Sequence, residues 1–187
     1  MNLKIYMASR ERSVMENVIK VDTVLKSEDV QEFNLWFSLN SRIILNSFSV
    51  VAYFMILLLI TKDYSTQSIS ILAVTAIILA AVLWYMTKAS LIKKSKKAFK
   101  TDSLIQQPQN YTISDEGISY LSEAGTGQVK WEEIHKIGET TNLFVFFVST
   151  QRALIIPKRF FESAQDKITF KDLARKYMFS NRVKFKA

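Results

Sequence analysis

The apolar and polar positions divide the chain into three textures. Two runs near the middle carry no charge at all: Ile43 to Thr61, IILNSFSVVAYFMILLLIT, and Ile69 to Thr87, ISILAVTAIILAAVLWYMT. Nineteen residues in an α-helix span about 28 Å, the thickness of a bilayer's hydrocarbon core. A buried helical pair in a soluble protein normally breaks its apolar face with charges every turn, and neither run does so. Only Lys62 to Ser68 connect the runs, so the pattern predicts an antiparallel transmembrane hairpin over residues 43–87. The first run follows forty-two largely polar residues, exceeds the length of a signal-peptide core and lacks a small-residue cleavage site, so neither run reads as a cleaved leader.

Before the hairpin, residues 1–15 read as a disordered extension and residues 16–42 as a strand followed by an amphipathic lead-in helix. Ile19, Val21, Thr23 and Leu25 alternate with Lys20, Asp22 and Val24, which is strand periodicity. From Glu28 to Asn40, Val30, Phe33, Trp36 and Phe37 fall on one side of a helix. After the hairpin, residues 88–107 form a basic juxtamembrane helix and linker, and residues 108–187 turn strand-like.

In that last block, Tyr111 to Ile113 and Ile118 to Leu121 flank Asp115-Glu116-Gly117, a tight-turn signature in which glycine supplies a positive φ. Gly125-Thr126-Gly127 reads as a second turn, leading into a strand from Gln128 to Trp131. The continuous apolar run Leu143 to Val148 is expected to be a central strand, and Ala153 to Ile156 another, ended by Pro157. Five short strands make an antiparallel meander, with Ile19 to Leu25 completing the same sheet. Ser163 followed by Asp166 is a capping box, and Phe170, Leu173, Ala174 and Tyr177 place an apolar stripe on the helix it opens. The fold class is therefore an α+β membrane protein: a two-helix hairpin, a small antiparallel β domain and a C-terminal helix.

Charge then orients the hairpin. The chain of 187 residues carries a net +8, and its basic residues are unevenly placed. Lys26 and Arg42 precede the first span and Lys62 sits in the loop, whereas Lys88, Lys93, Lys94, Lys96, Lys97 and Lys100 follow the second. The excess of Lys and Arg marks the cytoplasmic side, so both termini are expected there, with Trp36, Trp84 and Tyr85 at the interface. Lys93, Lys94, Lys96 and Lys97 are candidate contacts for anionic lipid headgroups, at about 1 kcal/mol each. The plainer alternative is a stop-transfer signal that only fixes topology. Nucleic acid is not expected as a partner, because the bilayer lies closer to these charges.

Catalytic and metal chemistry find no foothold. Cysteine is absent, which removes thiolate nucleophiles and Cys-based metal sites. The single histidine, His135, stands without clustered carboxylates, and Glu132 and Glu133 would point to opposite faces of a strand rather than form a facing acid/base pair. No Gly-Lys-Ser/Thr follows Gly125 and Gly127, so these are read as turn glycines rather than a phosphate loop. Neither span holds Asp, Glu, Lys, Arg or His, which disfavours an ion channel or transporter. Ala73, Ala76 and Ala80 form a small-residue strip that Asn46, Ser49 and Tyr53 of the first helix could meet; a homodimer or a protein partner is the alternative occupant.

Four stretches in fixed order, SEDVQEFNLW before the two spans, then YTISDEGISY, VKWEEIHKI and LIIPKRFF before the final helix, resemble the bacterial YcxB-like proteins, over about Val18 to Tyr177. The resemblance implies a C-terminal domain similar to bacterial pleckstrin-homology (PH) folds, a multi-pass location in the bacterial cell (inner) membrane, and no defined biochemical role. By analogy with PH folds, Lys158 and Arg159, after Pro157, become candidate lipid-headgroup contacts beside Lys130 or Arg152. The expectation is a non-enzymatic, membrane-anchored interaction module that needs no cofactor. The alternative is a self-protection protein against a membrane-active toxin or bacteriocin, which neighbouring toxin genes would favour.

Overall fold

The computed structural model describes residues 18–62, 65–123, 125–150 and 152–185. The extension expected at residues 1–15 lies outside them. The chain divides into two compact units, Asn34–Lys100 and the combination of Met1–Phe33 with Thr101–Ala187.

The strand-rich unit is α+β, as the sequence pattern predicts. The first strand, β1 (Ile19–Thr23), pairs antiparallel with β2 (Gln109–Ser114), which pairs with β3 (Gly117–Ser122) and that with β4 (Gly125–Val129). β1 buries Ile19, Val21 and Thr23 and leaves Lys20 and Asp22 exposed, the alternation its sequence carries. Its register sets Val21 against Tyr111 and Ile19 against Ile113, so a strand from the start of the chain does complete the later hairpin.

A second sheet, not anticipated, takes the order β7 (Ala153–Pro157), β6 (Leu143–Phe147), β5 (Lys136–Glu139), β8 (Val183–Lys184). Thus the single meander of five strands is corrected to two four-stranded sheets, and β8 lies parallel to β5. The central position expected for Leu143 to Phe147 is observed, and all five of its residues are buried.

Gly117 has a φ of 137° at the end of the Asp115-Glu116 turn, and a Cβ there would collide with the Val129 carbonyl. Gly127 is not a turn residue: it lies in β4 opposite Tyr120, and a side chain there would collide with that ring. The strand expected to reach Trp131 ends at Val129, and Trp131–Glu133 form a 3-10 turn. There Glu133 accepts a hydrogen bond from the Lys130 N–H at 3.1 Å, so the alternating-strand geometry assumed for Glu132 and Glu133 does not apply.

The core lies between the sheets and the long C-terminal helix Ala164–Tyr177, which Ser163 and Asp166 open with the expected capping box. Phe170 and Ala174 are fully buried and Leu173 nearly so. Trp131 stacks on Tyr177 at 6.2 Å and donates its indole N–H to the Ser114 carbonyl at 2.9 Å. Tyr111 donates its hydroxyl to Gln109 Oε1, and burial, aided by neighbouring Tyr120, pushes that hydroxyl above its ordinary pKa.

The helical elements, in chain order, are α1 (Ser27–Phe37), α2 (Leu39–Thr61), α3 (Thr66–Thr101), α4 (Ser103–Gln106) and α5, the C-terminal helix. Within the unit of residues 34–100, α2 and α3 are long and apolar enough to cross a membrane, and 0% and 11% of their most apolar stretches are buried. Helices of a soluble core would be mostly covered. α2 ends on Lys62, whose left-handed backbone lets its N–H reach the Leu58 carbonyl at 3.0 Å. On α3, Leu72 and Ala76 are buried and Ala73 and Ala80 half-buried, while Asn46, Ser49 and Tyr53 are half-buried on α2. The small-residue strip is thus partly covered inside the unit.

Candidate functional site

The four lysines expected to contact lipid lie on α3, which continues without a break from the apolar run to Thr101. At about 100° per residue, Lys93, Lys96, Lys97 and Lys100 fall within an arc of about 100°, with Lys94 roughly 60° beyond it. Leu91, Ser95 and Phe99 take the opposite side. Ser95 is 2% exposed; its Oγ accepts from Asn34 Nδ2 and donates to the Leu91 carbonyl, each at 2.9 Å. The buried serine fixes the helix rotation, and the lysines are left on the exposed face.

A groove of about 440 Å³ opens in the same unit where Ser38 and Arg42 face Leu83, Ser90, Leu91 and Lys94. The Arg42 guanidinium lies 4.9 Å from the Trp84 ring centroid and donates Nη2–H to the Leu35 carbonyl at 3.0 Å. Its Nε and Nη1 are buried and meet no acceptor among the described residues.

In the strand-rich unit, Lys158 and Arg159 follow β7 in a 3-10 turn, and the structure sets each against a buried carboxylate. Lys158 Nζ lies 2.6 Å from Glu139 Oε1 and also donates to the Thr140 and Thr141 carbonyls at 2.9 and 3.2 Å. Glu139 takes a second cation, Lys171, at 3.0 Å. Both lysines also lie over the Phe144 ring, at 5.1 and 5.8 Å, so the ion-pair cluster closes one end of the aromatic core.

Arg159 forms a two-pronged pair with Asp29, 2.6 Å on each side, and the hydrogen bond to that carboxylate holds the guanidinium above its ordinary pKa. Asp29 is 3% exposed and also accepts the Lys26 N–H at 2.7 Å, capping α1. Both prongs and the cap serve the fold, whatever else these cations contact.

Glu32, one turn along α1, takes Thr140 Oγ1 at 2.6 Å and the Asn142 N–H and Nδ2 at 2.9 Å each. Phe33 packs on Phe147 at 6.3 Å. Sequence reasoning singled out Lys158 and Arg159 of this cluster but not Asp29, Glu32, Glu139 or Lys171. Their partners lie up to 130 residues away. His135 is exposed, and no group of three or more His, Asp or Glu fit to hold a metal occurs among the described residues.

Burial pushes the Glu32 carboxyl up, and Asp29 adds to this, but the hydrogen bonds from Thr140 and Asn142 outweigh both, so its pKa is lowered below the ordinary 4.5. A depressed carboxylate contributes stability above its unfolded pKa and loses it as pH falls through the folded one. Glu32→Gln should therefore destabilise the protein at pH 7 by about 1 kcal/mol after solvent screening is allowed for. That deficit should shrink below pH 4. Thermal melts of both proteins from pH 7 to 3 check this, and a deficit that holds constant with pH would refute it.

Residues 113–174 match the sequence model of the family described as YcxB-like protein. Over that segment the chain is similar to YcxB-like proteins. It is 27% identical over 110 residues to the Bacillus subtilis (strain 168) protein named "Uncharacterized protein YcxB", covering 59% of this chain and 60% of that one. No solved structure matches. The YcxB-like segment contains Glu139, Lys158, Arg159 and Lys171, whereas Asp29 and Glu32 belong to α1, outside it.

Proposed function

We propose that this chain is a non-enzymatic, membrane-anchored interaction module. α2 and α3 cross the bacterial cell membrane as a hairpin with both termini in the cytoplasm. The strand-rich unit is a PH-like domain presented at the cytoplasmic leaflet, where it contacts a protein or lipid. The observation that carries the reading is the exposure of the apolar surface of α2 and α3, next to a lysine-rich continuation of α3. Uncovered apolar surface of that extent needs a non-aqueous solvent, and basic residues are retained on the cytoplasmic side. Two sheets closed by a C-terminal helix support the PH-like reading of the domain. Lys93, Lys94, Lys96 and Lys97 attract the anionic leaflet, an attraction screened over about 8 Å at physiological ionic strength.

Topology tests this. A reporter active only in the cytoplasm should work when fused after Ala187. A cysteine replacing Tyr64, which lies outside the described residues in the connection between α2 and α3, should react with an impermeant reagent on intact cells. Labelling only after lysis would reverse the orientation, and a chain washed off membranes by carbonate would end the membrane reading altogether.

A further inference from the structure

We infer that the open edge of β4 pairs antiparallel with β4 of a second copy of this chain, joining their sheets across a two-fold axis at Gly127. This names the protein that the strand-rich unit contacts in the reading above, and it rests on the membrane anchor of that reading for its strength.

Four strand edges bound the two sheets: β1 and β4 in one, β7 and β8 in the other. Three of them are guarded. β1 presents the charges of Lys20 and Asp22 and lies against β7, β7 ends on Pro157, and β8 is two residues long. β4 reads Gly-Thr-Gly-Gln-Val, without charge, proline or bulge, and no described residue pairs with its outer side. Unpaired N–H and C=O groups in such a row are a template for another strand.

Ser122 and Gly125 oppose each other across a two-residue turn, which makes them a hydrogen-bonded pair. By alternation Gly127 and Val129 also turn their N–H and C=O groups to β3, whereas Thr126 and Gln128 turn theirs to the open side. Antiparallel self-pairing about Gly127 sets Thr126 of each copy against Gln128 of the other. Every outward backbone group of these residues then has a partner.

The side chains fit the same axis. Thr126 and Gln128 are exposed on the outer face, where a hydroxyl would meet an amide across the new ladder. On the inner face Val129 falls opposite the second copy's Gly125, and Gly127 opposite itself in the closely spaced type of pair, about 4.5 Å between Cα atoms. Gly127 lies beneath the half-buried Tyr120 ring, which a Cβ would meet at 2.4 Å. The two Tyr120 rings therefore lean toward each other over the axis. Centring the pair on Thr126 or Gln128 instead would push one end of β4 past its partner. This self-complementarity selects a second copy over an unrelated strand. Five residues of edge pairing fall short of the roughly 1,000 Å² that a stable interface in solution buries, so confinement of both copies to one membrane supplies the local concentration.

The chain has no cysteine, so introduced ones report pairing cleanly. Full-length chains carrying Thr126→Cys and Gln128→Cys, differently tagged and co-expressed, should form a mixed disulfide in oxidised membranes. Residues opposite each other in such a pair stand about 5.5 Å apart, within the span a disulfide bridges. Thr126→Cys alone should give several-fold less, because its two copies lie on either side of the axis. Lys20→Cys with Asp22→Cys, on the opposite edge of the sheet, measures random collision, and an equal yield there overturns the pairing.

A second measurement is energy transfer between donor- and acceptor-tagged full-length chains in vesicles. The double variant Thr126→Lys, Gln128→Lys sets like charges opposite each other and should weaken association by about tenfold. Its melting should not move, since both side chains are exposed. Mixing it with Thr126→Glu, Gln128→Glu should restore transfer. Transfer that ignores these charges, or no mixed disulfide, overturns the inference. A disulfide that forms only after deletion of residues 2–17 would assign the edge to the chain's own N-terminal segment. Carbonate extraction separates the two readings: a retained protein that fails to cross-link overturns the pairing alone, and an extractable one that still cross-links overturns the membrane reading alone.

Discussion

Residues 108–187 expressed without the N-terminal strand should show no cooperative thermal transition. β1 contributes Ile19, Val21 and Thr23, all buried, and pairs along its full length with β2. Fully burying a Val or Ile side chain is worth about 1.5–3 kcal/mol, so these residues and their ladder contribute on the order of 5 kcal/mol, comparable with the whole stability of a small domain. Their removal also turns β2 into an open edge and uncovers Tyr111 and Ile113, which are 1% and 0% exposed in the intact fold. Joining residues 16–33 to the fragment through a flexible linker restores β1, the Asp29–Arg159 pair and the Glu32 contacts, and should restore a single transition. Circular dichroism melts of both fragments decide the matter. Equal cooperative melting would show β1 to be dispensable.

That strand also marks how far a sequence can be read. β1 was legible because five residues alternate cleanly, and its partner could be guessed because a lone strand needs one. The helices were legible for a different reason: a run of nineteen uncharged residues has few alternatives, and α3 continues helical through its lysines because nothing there breaks the pattern. β5 was missed because its four residues, Lys-Ile-Gly-Glu, show neither alternation nor a β-branched run. No local pattern singles out its Glu139, which is 7% exposed between two lysines. Gly127 misled in the opposite direction. Glycine usually signals a turn, and only the Tyr120 ring across the ladder accounts for its place inside a strand.

The polar cluster was half legible. Lys158 and Arg159 stand out beside Pro157, a strand terminator, but their carboxylate partners belong to α1 and β5. A contact between residues 29 and 159 leaves no local pattern, and it needs the fold before it can be named. Arg42 was read as a topology signal. What sequence could not show is that its side chain lies against Trp84 with two buried nitrogens that meet no acceptor among the described residues.

Phe170→Ala should remove about 3–5 kcal/mol from the strand-rich unit, the usual cost of truncating a buried phenylalanine. Phe170 is fully buried, and four rings surround it: Phe144 at 4.7 Å, Phe146 at 5.3 Å, Phe185 at 5.8 Å and Phe161 at 6.0 Å between centroids. These rings come from β6, from the segment before α5 and from the residue after β8, so the cavity left behind cannot close by shifting one element. Edge-on and tilted aromatic contacts, each worth about 0.5–1.5 kcal/mol beyond area burial, are lost together. At about 4–8 °C per kcal/mol for a domain of this size, the melting temperature should fall by more than about 10 °C. Ile168→Ala, at a half-exposed position on the same helix, should stay within about 0.5 kcal/mol of the parent. Carbonate-resistant membrane retention should survive Phe170→Ala, because residues 34–100 form a separate unit. Similar melting shifts for the two variants would mean that the aromatic cluster does not hold the two sheets and α5 together.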